Sequence, residues 1–159
     1  MNDIGVIHLG NGGITLVDSD KFKELSSVPW TRSPEGYVVR SVRLGPHKHK
    51  NYRMHRVVID APLGTDVDHK SGHRWVNTEW NLRLASHQGN SANSKKQSGR
   101  SSIFKGVTWA SEKRKWRAQI RVNYKMIYLG YYTSEREDAA AYNGAAIAHF
   151  GEFALLNEI

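Results

Sequence analysis

Apolar and polar positions alternate along one stretch near the end of the chain. Trp116, Ala118, Ile120 and Val122 interleave with Arg117, Gln119, Arg121 and Asn123. A period of two predicts a strand with one buried face and one polar, basic face. Residues 125–133 form a second β-rich run, joined to the first by a tight turn near Asn123-Tyr124, and residues 105–109 can supply a third strand. Ser134-Glu135-Arg136-Glu137 then reads as a capping box, with Ser134 as N-cap and Glu137 at the third helical position. It opens an Ala-rich helix over about 135–150 that Gly151 is placed to end. The small residues Ala139, Ala140, Ala141, Ala145, Ala146 and Ala148 would let that helix lie close on the sheet.

The earlier part of the chain is less periodic. Residues 12–17 suit a short strand, and Asp18 is placed to N-cap a helix over 19–25 with Phe22 and Leu25 on one face. Residues 37–44 alternate and suit a strand, whereas 52–59 fit a strand or a short helix equally. Residues 93–102, NSKKQSGRSS, are polar and Ser-rich, which predicts a linker. The expected organisation is therefore a domain over 1–93, a linker over 94–101 and a second domain over 102–159. No internal repeat is present.

Charge sharpens the picture because it is unevenly distributed. The net charge is +8. Between Lys95 and Lys125 there are ten Lys or Arg against the single acid Glu112, whereas after Lys125 one Arg faces five acids. A concentrated basic patch of this kind favours a phosphate backbone. With no cysteine, disulfides and cysteine-ligated zinc are excluded. The N-terminus has no basic start followed by a long apolar core, and no stretch approaches the roughly 18 to 20 apolar residues of a membrane span. These features predict a soluble, cytoplasmic protein with no membrane partner.

The candidate chemistry lies in residues 67–93, VDHKSGHRWVNTEWNLRLASHQGNSAN. Asp68-His69 is followed by Asn81 and then Asn90. Phosphodiester hydrolysis needs a base for water and a divalent cation for the charge on phosphate and leaving oxygen. Neighbours on a strand face opposite ways, so Asp68 and His69 cannot simply share one direction, but a twisted hairpin would bring the carboxylate to a metal and the imidazole to the water. Residues 82–85 would return as the second strand of a hairpin. Ser86 would cap a short helix carrying Asn90 one turn in. Oxygen donors suit Mg²⁺ or Mn²⁺.

In these residues the segment resembles the HNH nucleases of phages and mobile introns, with their pattern D-H-x-x-G, D-N-R-x-x-N-L-R and T-H-x-x-N-x-x-N. The matching residues are Asp68-His69-Lys70-Ser71-Gly72, then 76–83 ending in Asn81-Leu82-Arg83, then Ser86-His87 through Asn90 and Asn93. The resemblance spans about 14–93. It implies a ββα-metal fold, with His69 as general base, Asp68 and Asn90 as metal ligands, and Asn81 as the catalytic-motif residue that holds the loop. Arg83 would contact DNA, and His87 would orient groups or touch phosphate. Val76 and Thr78 depart from the usual acid and Arg, and His73 from the usual Asn or Asp. His55 is expected to be structural, and His47 and His49 to belong to a solvated basic loop.

Residues 102–157 resemble the APETALA2-type DNA-binding domain of plant ethylene-response factors. Phe104-Lys105-Gly106-Val107, Trp116-Arg117-Ala118-Gln119-Ile120-Arg121 and Tyr128-Leu129-Gly130-Tyr131-Tyr132 match its three strands, and Glu137-Asp138-Ala139-Ala140-Ala141-Tyr142-Asn143 matches its helix. The resemblance implies a sheet laid in the major groove. Arg117, Gln119, Arg121 and Tyr128 would then face bases, and Lys105, Lys113 and Lys115 would meet phosphates. Gln119 and Thr108 depart from the usual Glu and Arg, so the plant target sequence does not carry over.

The expected fold class is α+β: a ββα-metal nuclease domain followed by a three-stranded antiparallel sheet packed on one helix. The expected function is metal-dependent, sequence-biased cleavage of double-stranded DNA by a homing-type endonuclease. It would act as a monomer without an obligate protein partner, in a bacterial or phage-infected cell. The alternative is a DNA-binding regulator with an inactive nuclease core. RNA binding is disfavoured because no exposed aromatic platform is evident.

Overall fold

A computed structural model describes residues 3–96 and 101–159, so residues 97–100 of the expected linker lie outside the described residues. The chain is mixed α/β, with several small antiparallel sheets and four α-helices, in two compact units, Met1–Ala85 and Ser86–Ile159. No helix among the described residues is long and apolar enough to cross a membrane.

In the first unit, β1 (Ile4–His8) pairs antiparallel with β2 (Ile14–Asp18), and α1 (Ser19–Ser26) follows. Asp18 occupies the N-cap position, but its side chain makes no cap. Its Oδ2 accepts instead from the Glu79 backbone N–H at 2.7 Å. A distant loop amide has outcompeted the helix for that carboxylate, which local sequence could not show. β3 (Thr31–Arg32), β4 (Val38–Gly45) and β5 (Lys48–Arg53) form a three-stranded sheet. The ambiguous 52–59 run is divided: β5 ends at Arg53 and α2 (Met54–Val58) begins at once. β6 (Asp66–His69) and β7 (Leu82–Ala85) make a two-stranded hairpin, the returning strand falling where the motif spacing placed it. Ile7, Val17, Leu25, Trp30, Val38, Met54, Val67 and Leu82 are buried together, one or more from nearly every element. Burial of such side chains contributes about 1.5 to 3 kcal/mol each before entropy opposes it.

The second unit begins with α3 (His87–Ala92), capped by Ser86, whose Oγ accepts from the Gly89 N–H at 3.1 Å. β8 (Val107–Ala110), β9 (Lys115–Val122) and β10 (Lys125–Tyr132) form an antiparallel sheet in the order β10-β9-β8. Asn123 and Tyr124, both at positive φ (49° and 63°), make the two-residue turn between β9 and β10. α4 (Glu135–Phe150) lies on the sheet, with its capping box formed and Gly151 at φ 52° ending it. Ala118 and Ile120 are buried as the alternation requires, in a core with Phe104, Val107, Ala139, Tyr142 and Ala146.

Candidate nuclease site

The β6–β7 hairpin holds Asp68 and His69 on opposite faces, both almost wholly buried. Register places Asp68 across from Arg83. The Arg83 guanidinium donates to the Asp68 carboxylate through Nε at 2.8 Å and Nη2 at 2.7 Å, both on Oδ2. Arg83, expected at DNA, thus balances the charge of the buried Asp68.

His69 faces the other way, into a buried polar chain. Its Nε2 lies 3.2 Å from Asn77 Oδ1, Asn77 Nδ2 donates to Thr15 Oγ1 at 2.9 Å, and Thr15 Oγ1 donates to the Trp75 carbonyl at 2.8 Å. Asn77 and Thr15 are fully buried. Direction along this chain is set by proton count. Thr15 has one proton, and Trp75 O at 2.8 Å is a far better acceptor than Met54 Sδ at 3.7 Å. Thr15 can therefore only accept from Asn77, which turns the amide oxygen towards His69. That oxygen requires a proton on Nε2, so the neutral imidazole carries its basic lone pair on Nδ1. Burial lowers the His69 pKa, with the Asn77 bond and the Asp68 charge opposing and Arg74 assisting, so the ring is held as a neutral base.

Asn77 owes its place to the loop between the hairpin strands. Leu16 N–H donates to Trp75 O at 3.1 Å and Asn77 N–H to Leu16 O at 2.8 Å, so β2 grips the loop as a short parallel bridge at Leu16 and Val76. Asn81, also fully buried, closes the loop. Its Oδ1 accepts from Ser71 N–H at 3.0 Å and its Nδ2 donates to Val76 O at 2.7 Å. Of the three departures from the motif, Val76 and Thr78 are buried in this loop and His73 is exposed.

Two further rings wall the base. His55 is buried with its ring centroid 5.1 Å from that of His69, in an edge contact, and Tyr37 lies 5.2 Å from His55 and 6.1 Å from His69. Burial first, then the charge of His69, drives His55 to a pKa of about 3, so it is neutral. Arg74 and Arg53 stack on Tyr37 at 4.4 and 5.2 Å. Sequence reasoning missed Asn77, Thr15 and Tyr37; only Asn77, inside the motif eight residues after His69, carried a signal that could have found it.

Compared with known proteins, the chain is 32% identical over 152 residues to an uncharacterised HNH endonuclease of Acanthamoeba polyphaga mimivirus, the match covering 94% of this chain and 78% of that relative. No family model matches. The chain belongs to the HNH endonuclease family. Nuclease function is therefore shown at the family level, and Asp68-His69 with its asparagines lies inside the matched length.

A metal for this HNH site must fit the donors present. Among the described residues no group of three or more His, Cys, Asp or Glu side chains converges to hold an ion. Asp68 brings one buried carboxylate. Mg²⁺ keeps several waters and takes one or two carboxylates plus substrate phosphate, so a site built on the single Asp68 carboxylate, whose Oδ2 is paired with Arg83, would leave most of the coordination to water and phosphate.

In the second unit, Asn90 lies in α3, its backbone N–H donating to Ser86 O at 3.0 Å, and His87 is exposed at the start of that helix. Arg117, Gln119 and Arg121 share the sheet face opposite α4. Gln119 pairs with Tyr128 in register, and the Arg117 guanidinium stands 5.8 Å from the Tyr128 ring. Tyr128 is 65% exposed, so this face offers an aromatic surface beside its cations. Lys113 and Lys115 are exposed. Lys105 is placed differently. Its ammonium donates to the carbonyls of Ser94 at 2.7 Å and of Ala92, and burial lowers its pKa to about 8.

Proposed function

We propose that this protein hydrolyses phosphodiester bonds of double-stranded DNA with a divalent metal, Mg²⁺ or Mn²⁺. The observation that carries the reading is the buried chain from Trp75 through Thr15 and Asn77 to His69, which holds a neutral imidazole with its lone pair on Nδ1. His69 Nδ1 accepts the proton of the attacking water. Asp68 would hold the metal, and the motif's spacing supports Asn90 as a second ligand. The metal supplies charge neutralisation at the phosphate and the leaving oxygen. Asn81 and Asn77 are positioning residues that act through the loop and the ring.

The Arg117, Gln119, Arg121 and Tyr128 face supports the sheet of the second unit as the DNA reader, since Arg and Gln pair bidentately with guanine and adenine. The APETALA2-type resemblance and the two-domain division at 94–101 belong to this reading. One motif per chain makes a nick the natural product of a monomer, and a homing-type endonuclease is the setting that fits.

The test is nicking of supercoiled plasmid. His69→Ala is expected to lose at least about 100-fold in rate while keeping DNA affinity, and a chelator is expected to silence the wild type. Near-wild-type nicking by His69→Ala, or undiminished activity in excess chelator, would overturn the assignment.

A further inference from the structure

The β4–β5 hairpin stands outside the site just described, yet its charge is as one-sided as that of residues 95–125. From Gly36 to Ile59 there is no Asp or Glu, while Arg40, Arg43, Lys48, Lys50, Arg53 and Arg56 all fall there, with His47 and His49 at the tip. Arg56 is spent internally on the carbonyls of Thr65, Ala61 and Pro62. Arg43, Lys48, Lys50 and Arg53 are exposed, and among the described residues no ion pair takes any of them. Like charges at this density repel one another, and a hairpin that keeps them without acids is stabilised by an anion laid along it.

Register shows where that anion would lie. The pairs Val39↔Arg53, Ser41↔Asn51 and Arg43↔His49 put Arg43, His49, Asn51 and Arg53 on one face. Tyr37, Val39, Ser41, Asn51 and Arg53 line an open groove of about 550 Å³ on that side, with the single acid Glu35 at its Tyr37 end, where Arg53 and Arg74 offset its charge. The track leads to Tyr37, on which Arg53 and Arg74 both stack and beside which His69 lies at 6.1 Å. The opposite face carries Tyr52, which packs against the core, with Arg40, Lys48 and Lys50 beside it.

We propose that the β4–β5 hairpin is a DNA-binding ribbon that enters the major groove beside the scissile phosphate and delivers the backbone to His69. A two-stranded ribbon fits the major groove of B-form DNA. The six residue-to-residue steps from Tyr37 to Arg43 span about 20 Å, or roughly six base pairs at 3.4 Å each. The deep, narrow major groove of A-form RNA would not admit it. This inference rests on the DNA-cleavage reading, but binding tests it without cleavage.

The experiment measures affinity of the full-length protein for a labelled duplex across a salt series without divalent metal. The triple variant Arg43→Ala, Arg53→Ala, Arg74→Ala, which removes the cations along that face and over Tyr37, is compared with the charge-keeping triple Arg43→Lys, Arg53→Lys, Arg74→Lys and with Lys23→Ala on α1. Near-UV circular dichroism checks folding. The alanine triple is expected to flatten the slope of log affinity against log salt by about 2.7, at about 0.9 for each phosphate no longer neutralised. The charge-keeping triple and Lys23→Ala are expected to hold the wild-type slope. The alanine triple is also expected to lose major-groove protection next to the nick. An unchanged slope in a folded alanine triple overturns the inference, as does an equal loss on double-stranded RNA. If the wild type binds duplex through the hairpin but never nicks it, the nuclease reading fails and the ribbon stands.

Discussion

Replacing Thr15 by valine leaves His69 and every motif residue in place, yet the buried chain makes it a test of the base. Valine keeps the volume but cannot accept from Asn77 Nδ2, now held at 2.9 Å, or donate to Trp75 O. Without Thr15, nothing in that chain prefers one orientation of the Asn77 amide over the other. A flipped amide would present N–H to His69 Nε2, which would move the ring proton to Nδ1 and remove the lone pair that accepts from water. A preference of only about 1.4 kcal/mol for the flipped state is a tenfold loss of rate, and a single hydrogen bond contributes about that much. Thr15→Val is therefore expected to lower plasmid nicking at saturating DNA and Mg²⁺ by tenfold or more. Asn77→Ala is expected to lose about 100- to 10,000-fold, the range for a misplaced acid–base group. It also loses two buried hydrogen bonds, which destabilises the first unit by about 3 to 5 kcal/mol once an unsatisfied polar group is included. Asn77→Asp presents an oxygen to Nε2 in either orientation and is expected to stay within about tenfold of wild type. Single-turnover rates with melting curves on each variant separate the effects. Wild-type rates in folded Thr15→Val and Asn77→Ala, or equal losses in Asn77→Ala and Asn77→Asp, would refute the reasoning.

Two stability predictions concern the second unit. Gly106 sits at φ 77°, and an added Cβ would meet Tyr142 Cδ2 at 2.0 Å and Gln119 O at 2.7 Å, whereas Gly151 at φ 52° has open space. Gly151→Ala should cost about 1 kcal/mol of backbone strain, and Gly106→Ala a further 1 to 3 kcal/mol or so of overpacking, lowering its Tm by roughly 4 to 8 °C per kcal/mol; equal melting temperatures would remove the packing argument. Asp138 is fully buried against the sheet, and burial raises its pKa to about 6 from 3.8, opposed by the Ala118 backbone amide and aided by the charge of Glu137. Its folded form holds a proton that the unfolded chain releases, so the stability it confers is complete below about pH 4 and is lost as pH rises through about 6. Urea melts across that window should fall for wild type and stay level for Asp138→Asn; parallel curves would show that Asp138 does not titrate there.

Much of the local structure was legible because it depends on neighbours in sequence. Alternation through Ala118 and Ile120, the Ser134–Glu137 capping box, the Ser86 cap and the Asn123-Tyr124 turn each need only a few adjacent residues, and the structure contains all four. The spacing from Asp68-His69 to Leu82 likewise determines a hairpin, since a loop must close between two strands of matching length. The tertiary structure decided where side chains found their partners. Asp18 looked like a helix cap, but a backbone N–H from Glu79, 61 residues on, claimed its carboxylate. Antiparallel register, not local sequence, set Arg83 against Asp68, a buried carboxylate that would be costly to leave unpaired. The orientation of His69 depends on Thr15, brought within reach of Asn77 across 62 residues by the docking of the loop on β2. A sequence pattern specifies which groups a site can use. The proton on Nε2 follows from a chain of buried hydrogen bonds that exists only once distant segments pack, because only burial makes each unpaired donor and acceptor costly enough to impose one arrangement.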